Sequence, residues 1–229
     1  MERLHNGFLL DTPPGTFPLS TDSILLADFI QLPRCAKVLD LGAGCATLGH
    51  LLCAKDVRCH VTGIELDNTA HEAALKNIEA NGLQSRISSI CGDIRSVSHT
   101  LGAGSFTTCI SNPPYFTGGP ASKDAPLARR NDCFDIPDIM HCAGKALQYG
   151  GDLYLVHKPE NLAHLCACAA KNGLEAKRLC VVRHCPENPI SMILLQFRKG
   201  GKPGLKWEEL NLFHRDGTPT AAYCKIYHL

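Results

Sequence analysis

Apolar and polar positions along this chain fall into two alternating patterns. Short apolar runs that stop at glycine or a polar residue are separated by stretches in which apolar residues recur every three or four positions. The runs are KVLDLG (Lys37–Gly42), HVTGIELD (His60–Asp67), RISSICGD (Arg86–Asp93), FTTCIS (Phe106–Ser111) and GDLYLVH (Gly151–His157). Near-continuous apolarity over that length predicts strands buried on both faces. Two further runs, around Lys177–His184 and Met192–Arg198, are joined by CPENP, which is too short and too rich in proline for a helix. They predict a terminal antiparallel hairpin. Between the second and third strands NTAHEAALKNIEANGL places Ala70, Ala73, Ala74 and Ile78 on one helical face, with Asp67 or Asn68 as N-cap and Gly82 just past the end. PLSTDSILLADF (Pro18–Phe29) does the same with Leu25, Leu26, Phe29 and, one residue on, Ile30.

Strands alternating with helices predict an α/β fold: seven strands in a mostly parallel sheet, wrapped on both faces, with a C-terminal antiparallel hairpin. No repeat, low-complexity tract or linker interrupts the 229 residues, so a single domain is expected over 1–229. Within it, residues 1–36 form a segment covering cofactor or substrate, 37–200 the core sheet and 201–229 an extension.

Composition narrows the class of protein. Hydrophobic residues make up 45% and charged residues 20%, ordinary for a globular domain. No apolar stretch is long enough to span a membrane, and the charged N-terminus does not read as a signal peptide, so a cytoplasmic protein is expected. A net charge of +1 confines any nucleic-acid contact to a local patch. Thirteen cysteines and eleven histidines are scattered without CxxC or HExxH spacing. They read as small buried hydrophobes and dispersed polar residues, and no metal is expected.

The candidate chemistry lies at the strand ends. LDLGAGCATLG has Gly42 and Gly44 but no glycine three residues further on, so the GxGxxG dinucleotide fingerprint fails. Asp40 would repel a pyrophosphate and welcome a cation. Glu65 ends the second strand, where an acid can accept both hydroxyls of a ribose. A ligand with a ribose and a positive charge but no phosphate fits S-adenosylmethionine. Asp93 ends the third strand, placed to accept from an adenine amino group while Ile94 packs on the ring. The second role open to Asp93 is a helix N-cap.

The fourth strand runs into Asn112-Pro113-Pro114-Tyr115. Neither proline has an N–H to donate, so the chain must leave the sheet at Asn112, with a rigid polar side chain and an aromatic ring at the strand's carboxyl end. The ordered set DLGAG, GIELD, CGD and SNPPY, with STDSILLADF before it and GGDLYLVHKPENLA and RKGGKPGLK after it, resembles the class I S-adenosylmethionine-dependent methyltransferases that act on amino or amide nitrogen. Within them it resembles the bacterial tRNA (adenine-N6) methyltransferases that modify the base 3′ to the anticodon of a valine tRNA. The resemblance covers nearly the whole chain. It implies a Rossmann-like methyltransferase that places a methyl group on adenine N6 of a tRNA, with Asn112, Pro113, Pro114 and Tyr115 as the catalytic loop and Thr21 and Asp22 bordering the cofactor pocket.

An exocyclic amine is a poor nucleophile because its lone pair is delocalised into the ring. The Asn112 side-chain oxygen and the Pro113 carbonyl can each accept one amine hydrogen, localising that pair and aiming it. Tyr115 offers a ring for the unpaired base. Substrate contacts are expected from Tyr115, from Arg129 and Arg130 (where the family's Arg-His-Glu run gives way to Arg129-Arg130-Asn131-Asp132) and from Lys199 and Lys202 in RKGGKPGLK, the alternative for these four cations being a solvated surface. The same quartet also serves glutamine-amide methyltransferases acting on release factors, but these carry a large helical domain where only 36 residues precede Lys37 here. The residues are also compatible with a guanine-N2 methyltransferase acting on rRNA. A module that binds cofactor and RNA without turnover would be expected to show decay of this quartet, and all four residues are present.

Overall fold

The computed structural model describes residues 1–97, 100–115 and 134–229. Its centre is an eight-stranded sheet built from β3 (Lys37–Leu41), β4 (His60–Glu65), β5 (Ile87–Cys91), β6 (Phe106–Ser111), β7 (Leu147–His157), β8 (Leu174–Arg183), β9 (Met192–Lys199) and β10 (Lys206–Asn211). The spatial order is β10-β8-β9-β7-β6-β3-β4-β5, and β9 alone runs against its neighbours. The mainly parallel α/β architecture with a late antiparallel hairpin matches the pattern in the sequence. A small antiparallel pair, β1 (Glu2–Arg3) and β2 (Leu9–Leu10), precedes it.

Residues along β3 are buried on both sides: Val38 packs on one face with Leu25, Leu52 and Ile78, and Leu39 on the other with Met140 and Leu155. The first layer takes α1 (Thr21–Phe29), α2 (Thr47–Lys55) and α3 (Asn68–Ala80). The second takes α4 (Ile94–Val97), α5 (Ile136–Ala146) and α6 (Leu162–Lys171). Each fully buried Leu, Ile or Phe in these layers contributes about 1.5–3 kcal/mol. Helix α3 is built as its pattern requires: Asp67 caps it by accepting from the Ala70 N–H at 2.9 Å, and Gly82 turns out of it at φ +64°. Among the described residues, no helix is long and apolar enough to cross a membrane.

One feature differs from the sequence expectation. The segment 201–229 is no mere extension: Lys206–Asn211 adds an eighth strand, parallel to β8, and α7 (Ala221–Tyr227) packs back towards α1. KWEELN hides this because it is an edge strand, where Lys206, Glu208 and Glu209 interrupt the apolar residues and guard the unpaired backbone. Its anchor is Arg178 on β8, which donates to both carboxylate oxygens of Glu208 at 2.9 and 3.1 Å and lies over the Phe29 ring. Trp207 stands largely exposed on this edge.

The N-terminal segment is tied down by two asparagines one turn apart, Asn77 on α3 and Asn81 just past its end. Asn77 accepts from the Asp11 N–H at 2.8 Å and donates to the carbonyls of Asp11 and Cys45. Asn81 exchanges the same pair of bonds with Leu9, at 2.8 and 2.7 Å. Leu10 between them is buried.

Candidate functional site

The carboxyl ends of β3, β4 and β6 meet at one edge of the sheet. Between β3 and α2 the chain turns at Gly42 (φ +81°) and Gly44 (φ +55°), and the N–H groups of Gly42 and Ala43 both reach the Ile64 carbonyl at 3.0 Å. A side chain at Gly42 would collide with the ring of Phe134, whereas the space beside Gly44 is open. One glycine is thus required by packing, and the other leaves room for a ligand against the backbone. Phe134 is not legible from sequence, because its contact with Gly42 is purely tertiary.

Glu65 ties this turn to β4. Its Oε2 accepts from the Gly44 N–H at 2.7 Å and its Oε1 from the Asp67 N–H at 2.8 Å. Each oxygen keeps a further lone pair, enough for two ligand hydroxyls. Burial raises the Glu65 pKa above the ordinary carboxylate value, against the pull of the Asp67, Gly44 and Leu66 N–H groups.

Asp40 is more unusual. It is 1% exposed and neither carboxylate oxygen has a hydrogen-bond partner. Burial, reinforced by the charge of Glu65, pushes its pKa up to about 8. A buried unpaired carboxylate is costly, and a bound cation is the group that would relieve it. The open side of Gly44, the acceptor pair on Glu65 and the orphaned carboxylate of Asp40 together fit a cationic nucleoside.

The expectations for Asp93 and Ile94 change. Arg95 binds the Asp93 carboxylate at 2.8–2.9 Å through Nε, and its Nη2 reaches Oδ2 at 2.5 Å. Asp93 also accepts from the Arg95 N–H at 2.8 Å. These bonds hold its pKa below the ordinary value. Ile94 is 1% exposed and sits in the core beside Leu39 and Ile64, so it does not present a face to a ring.

The fourth strand ends as the prolines dictate. Ser111 is buried and donates to the Leu41 carbonyl at 2.8 Å, pinning the end of β6 to that of β3 directly before the loop. Pro113 is buried and Asn112, Pro114 and Tyr115 are half-buried. Both ends of the loop rest on the first turn of α1. Asn112 Nδ2 donates to Ser23 Oγ at 3.0 Å, which leaves the acceptor oxygen Oδ1 at the other end of the amide. Tyr115 donates its hydroxyl to Asp22 Oδ2 at 2.5 Å. Burial, then the Asp22 charge, raises the phenol pKa far above its usual value, so Tyr115 remains a donor.

From the opposite side, the His157 ring meets Tyr115 at 5.2 Å between centroids, and Lys158 Nζ lies 5.3 Å from the Tyr115 centroid. Burial keeps His157 neutral by lowering its pKa, and its Nδ1 accepts from the Lys158 N–H at 2.8 Å. Ser23, His157 and Lys158 were not legible as site residues, since each reads as an ordinary helix or strand-end position.

The structure separates the remaining expected residues. Asp22 holds the Asn112–Tyr115 loop by accepting from the Tyr115 hydroxyl. Thr21 is exposed at the start of α1, where its side chain bonds Tyr227. Lys199 and Lys202 lie on the far edge of the sheet. Because β9 is antiparallel, its last residue, Lys199, pairs with Leu174 at the beginning of β8. The Lys199 ammonium donates to the Leu147 carbonyl at 2.6 Å, and the Lys202 carbonyl accepts from Lys177 at 2.8 Å. The antiparallel hairpin that the sequence predicts is what carries RKGGKPGLK to the end of the sheet opposite the carboxyl ends of β3, β4 and β6. Arg129 and Arg130 lie outside the described residues. Among the described residues, no group of three or more His, Cys, Asp or Glu is arranged to hold a metal, and Cys45, Cys53, Cys59, Cys109, Cys142, Cys168 and Cys180 are buried.

A family model, the methyltransferase small domain, matches residues 19–166. The chain is 31% identical to a tRNA1(Val) (adenine(37)-N6)-methyltransferase of Tolumonas auensis, over 88% of this chain and 84% of that protein. It is 27% identical to a protein of the same name from Photobacterium profundum, over 91% of this chain and 88% of the other. Among solved structures, a predicted O-methyltransferase from Agrobacterium tumefaciens superposes with a TM-score of 0.76 at 20% identity, covering 91% of this chain and 96% of that one.

Proposed function

The chain belongs to the methyltransferase small-domain family, and on that premise we propose that it methylates the exocyclic N6 amine of an adenine in a tRNA. The methyl donor is S-adenosylmethionine, which supplies an electrophilic methyl group on a sulfonium. Asp40 would face its positive charge, Glu65 its ribose hydroxyls, and the open side of Gly44 its backbone-facing edge. The relatives at 27–31% identity that carry the tRNA adenine-N6 name favour that substrate over a guanine or a glutamine amide.

The observation that carries the reading is the placement of Asn112. Its amide nitrogen is held by Ser23, so the oxygen is the end left for a substrate. An adenine amine offers two hydrogens. Asn112 Oδ1 can take one and the Pro113 carbonyl the other, which draws the nitrogen lone pair out of conjugation with the ring and fixes its direction. Pro114 adds rigidity without an unpaired N–H. Tyr115, fixed by Asp22 at its hydroxyl and by His157 and Lys158 at its ring, presents a surface that loses no rotamer freedom when a base stacks on it. Such stacking contributes ~1–3 kcal/mol per base. No side chain must act as a base, because the amine sheds its proton readily once alkylated.

The test is transfer from labelled S-adenosylmethionine into unmodified bulk tRNA, with the product nucleoside identified by mass spectrometry. N6-methyladenosine in tRNA is the expected product. Label in rRNA guanine or in a protein glutamine would retain the loop chemistry and replace the substrate.

A further inference from the structure

Five side chains connect the catalytic loop to the start of α1: Asn112 and Tyr115 on the loop, and Ser20, Asp22 and Ser23 at the helix. Ser20 is the N-cap of α1, and its Oγ accepts from the Ser23 N–H at 3.3 Å. The Ser20 and Ser23 hydroxyls are 3.2 Å apart. Either hydroxyl can donate in that contact, so Ser23 can send its proton to Ser20. Its own lone pairs then face Asn112 Nδ2, 3.0 Å away. Ser23 is 6% exposed, so water does not compete freely for the position. Nearby, Asp22 fixes Tyr115 in the same helical turn.

An asparagine amide has two ends of nearly equal size and opposite hydrogen-bonding sense. Turned one way, Asn112 offers an acceptor to the amine. Turned the other, it offers two N–H donors to a group that is itself a donor, and the contact becomes repulsive. The Asn-Pro-Pro-Tyr sequence fixes where the amide sits but not which end faces outward. We infer that Ser23 is a positioning residue for methyl transfer: its hydroxyl, oriented by Ser20, holds the Asn112 amide with its oxygen towards the substrate amine. This inference rests on the amine-methylating reading of the loop, and it adds a helix residue on which the loop's polarity depends.

The test uses full-length protein loaded with S-adenosylmethionine. Single-turnover methyl transfer into tRNA, cofactor affinity by calorimetry and hydrogen exchange of the Asn112 side-chain amide by NMR are compared for wild type, Ser23→Ala and Ser23→Thr. Ser23→Ala is expected to slow the chemical step by about ten- to a hundredfold, with cofactor Kd and the KM for RNA unchanged, and to accelerate exchange of the Asn112 amide. Ser23→Thr keeps the hydroxyl and restores both. A Ser23→Ala rate within about twofold of wild type overturns the assignment, as does a loss that Ser23→Thr fails to restore. Should Ser23→Ala not fold, Ser23→Cys, of similar volume but with a poor acceptor, takes its place under the same criteria. Amide exchange is read without RNA. A wild type that methylates no RNA would therefore refute the substrate, while unaltered exchange in the variant would refute the role of Ser23.

Discussion

Asp40 gives a quantitative prediction, because cofactor binding must change its proton occupancy. In the cofactor-free protein its carboxyl is buried, both oxygens are unpartnered, and burial and the neighbouring Glu65 charge carry its pKa from 3.8 to about 8. At pH 7 such a group is about 90% protonated. A cation against it requires the ionised form, so binding expels up to about 0.9 proton per site at pH 7. Cofactor affinity should fall roughly fiftyfold between pH 8 and pH 6, the ratio of the ionised fractions.

The stability of the free protein carries the opposite sign. A carboxyl whose folded pKa is raised contributes stability that is complete below about pH 4 and lost as pH rises through about 8, on the order of 5 kcal/mol across the window. Calorimetric titration in two buffers of different ionisation enthalpy measures the released proton directly, and Asp40→Asn supplies the control. The variant should bind the cofactor more weakly and without the Asp40-dependent slope. Proton release below about 0.2 at pH 7, with the same pH profile in wild type and Asp40→Asn, would refute the pairing of Asp40 with a cation.

Three other substitutions have defined outcomes. Glu65→Ala removes two acceptors for the ribose and two bonds to the turn at Gly44 and Asp67, and should weaken cofactor binding by about 2–3 kcal/mol; unchanged affinity by calorimetry would remove Glu65 from the site. Asn77→Ala releases the N-terminal segment from α3, at an expected cost of about 2 kcal/mol, and hydrogen exchange should show the Asp11 amide losing protection while β3 keeps its own. Arg178→Ala breaks the paired contact that holds β10 and uncovers Phe29. With both partners partly screened by solvent, a loss of about 1–2 kcal/mol in denaturant unfolding is expected, and a change below about 0.5 kcal/mol would mean that the pair does not anchor the edge.

The parts of the site that were legible in the sequence are those where backbone chemistry forces a location. Gly42 and Gly44 mark a turn with positive φ, Glu65 and Asp40 are acids at strand ends, and the two prolines oblige the chain to leave the sheet at Asn112. None of these inferences needs a tertiary contact. Ser23 and Phe134 do: a serine in the first turn of a helix reads as a capping or surface residue, and its meaning comes from a loop 89 positions away. Ile94 failed for the complementary reason, since an apolar residue after a strand end can face a ligand or the core, and here the core took it. β10 was hidden by its charges, and Lys199 ends the reversed strand of the expected hairpin, which puts it at the end of the sheet away from Asn112. Asn77 and Asn81 read as polar helix positions, although between them they supply the backbone partners that a strand would have given to Leu9 and Asp11.

The most direct test of an amine-orienting loop is single-turnover methyl transfer into one tRNA by wild type and Asn112→Ala, with cofactor affinity measured on the same samples. Wild type should form N6-methyladenosine, and Asn112→Ala should bind S-adenosylmethionine normally while its chemical step slows by about a hundredfold or more. Near-wild-type formation of N6-methyladenosine by Asn112→Ala would contradict the assignment of the Asn112 oxygen to the amine.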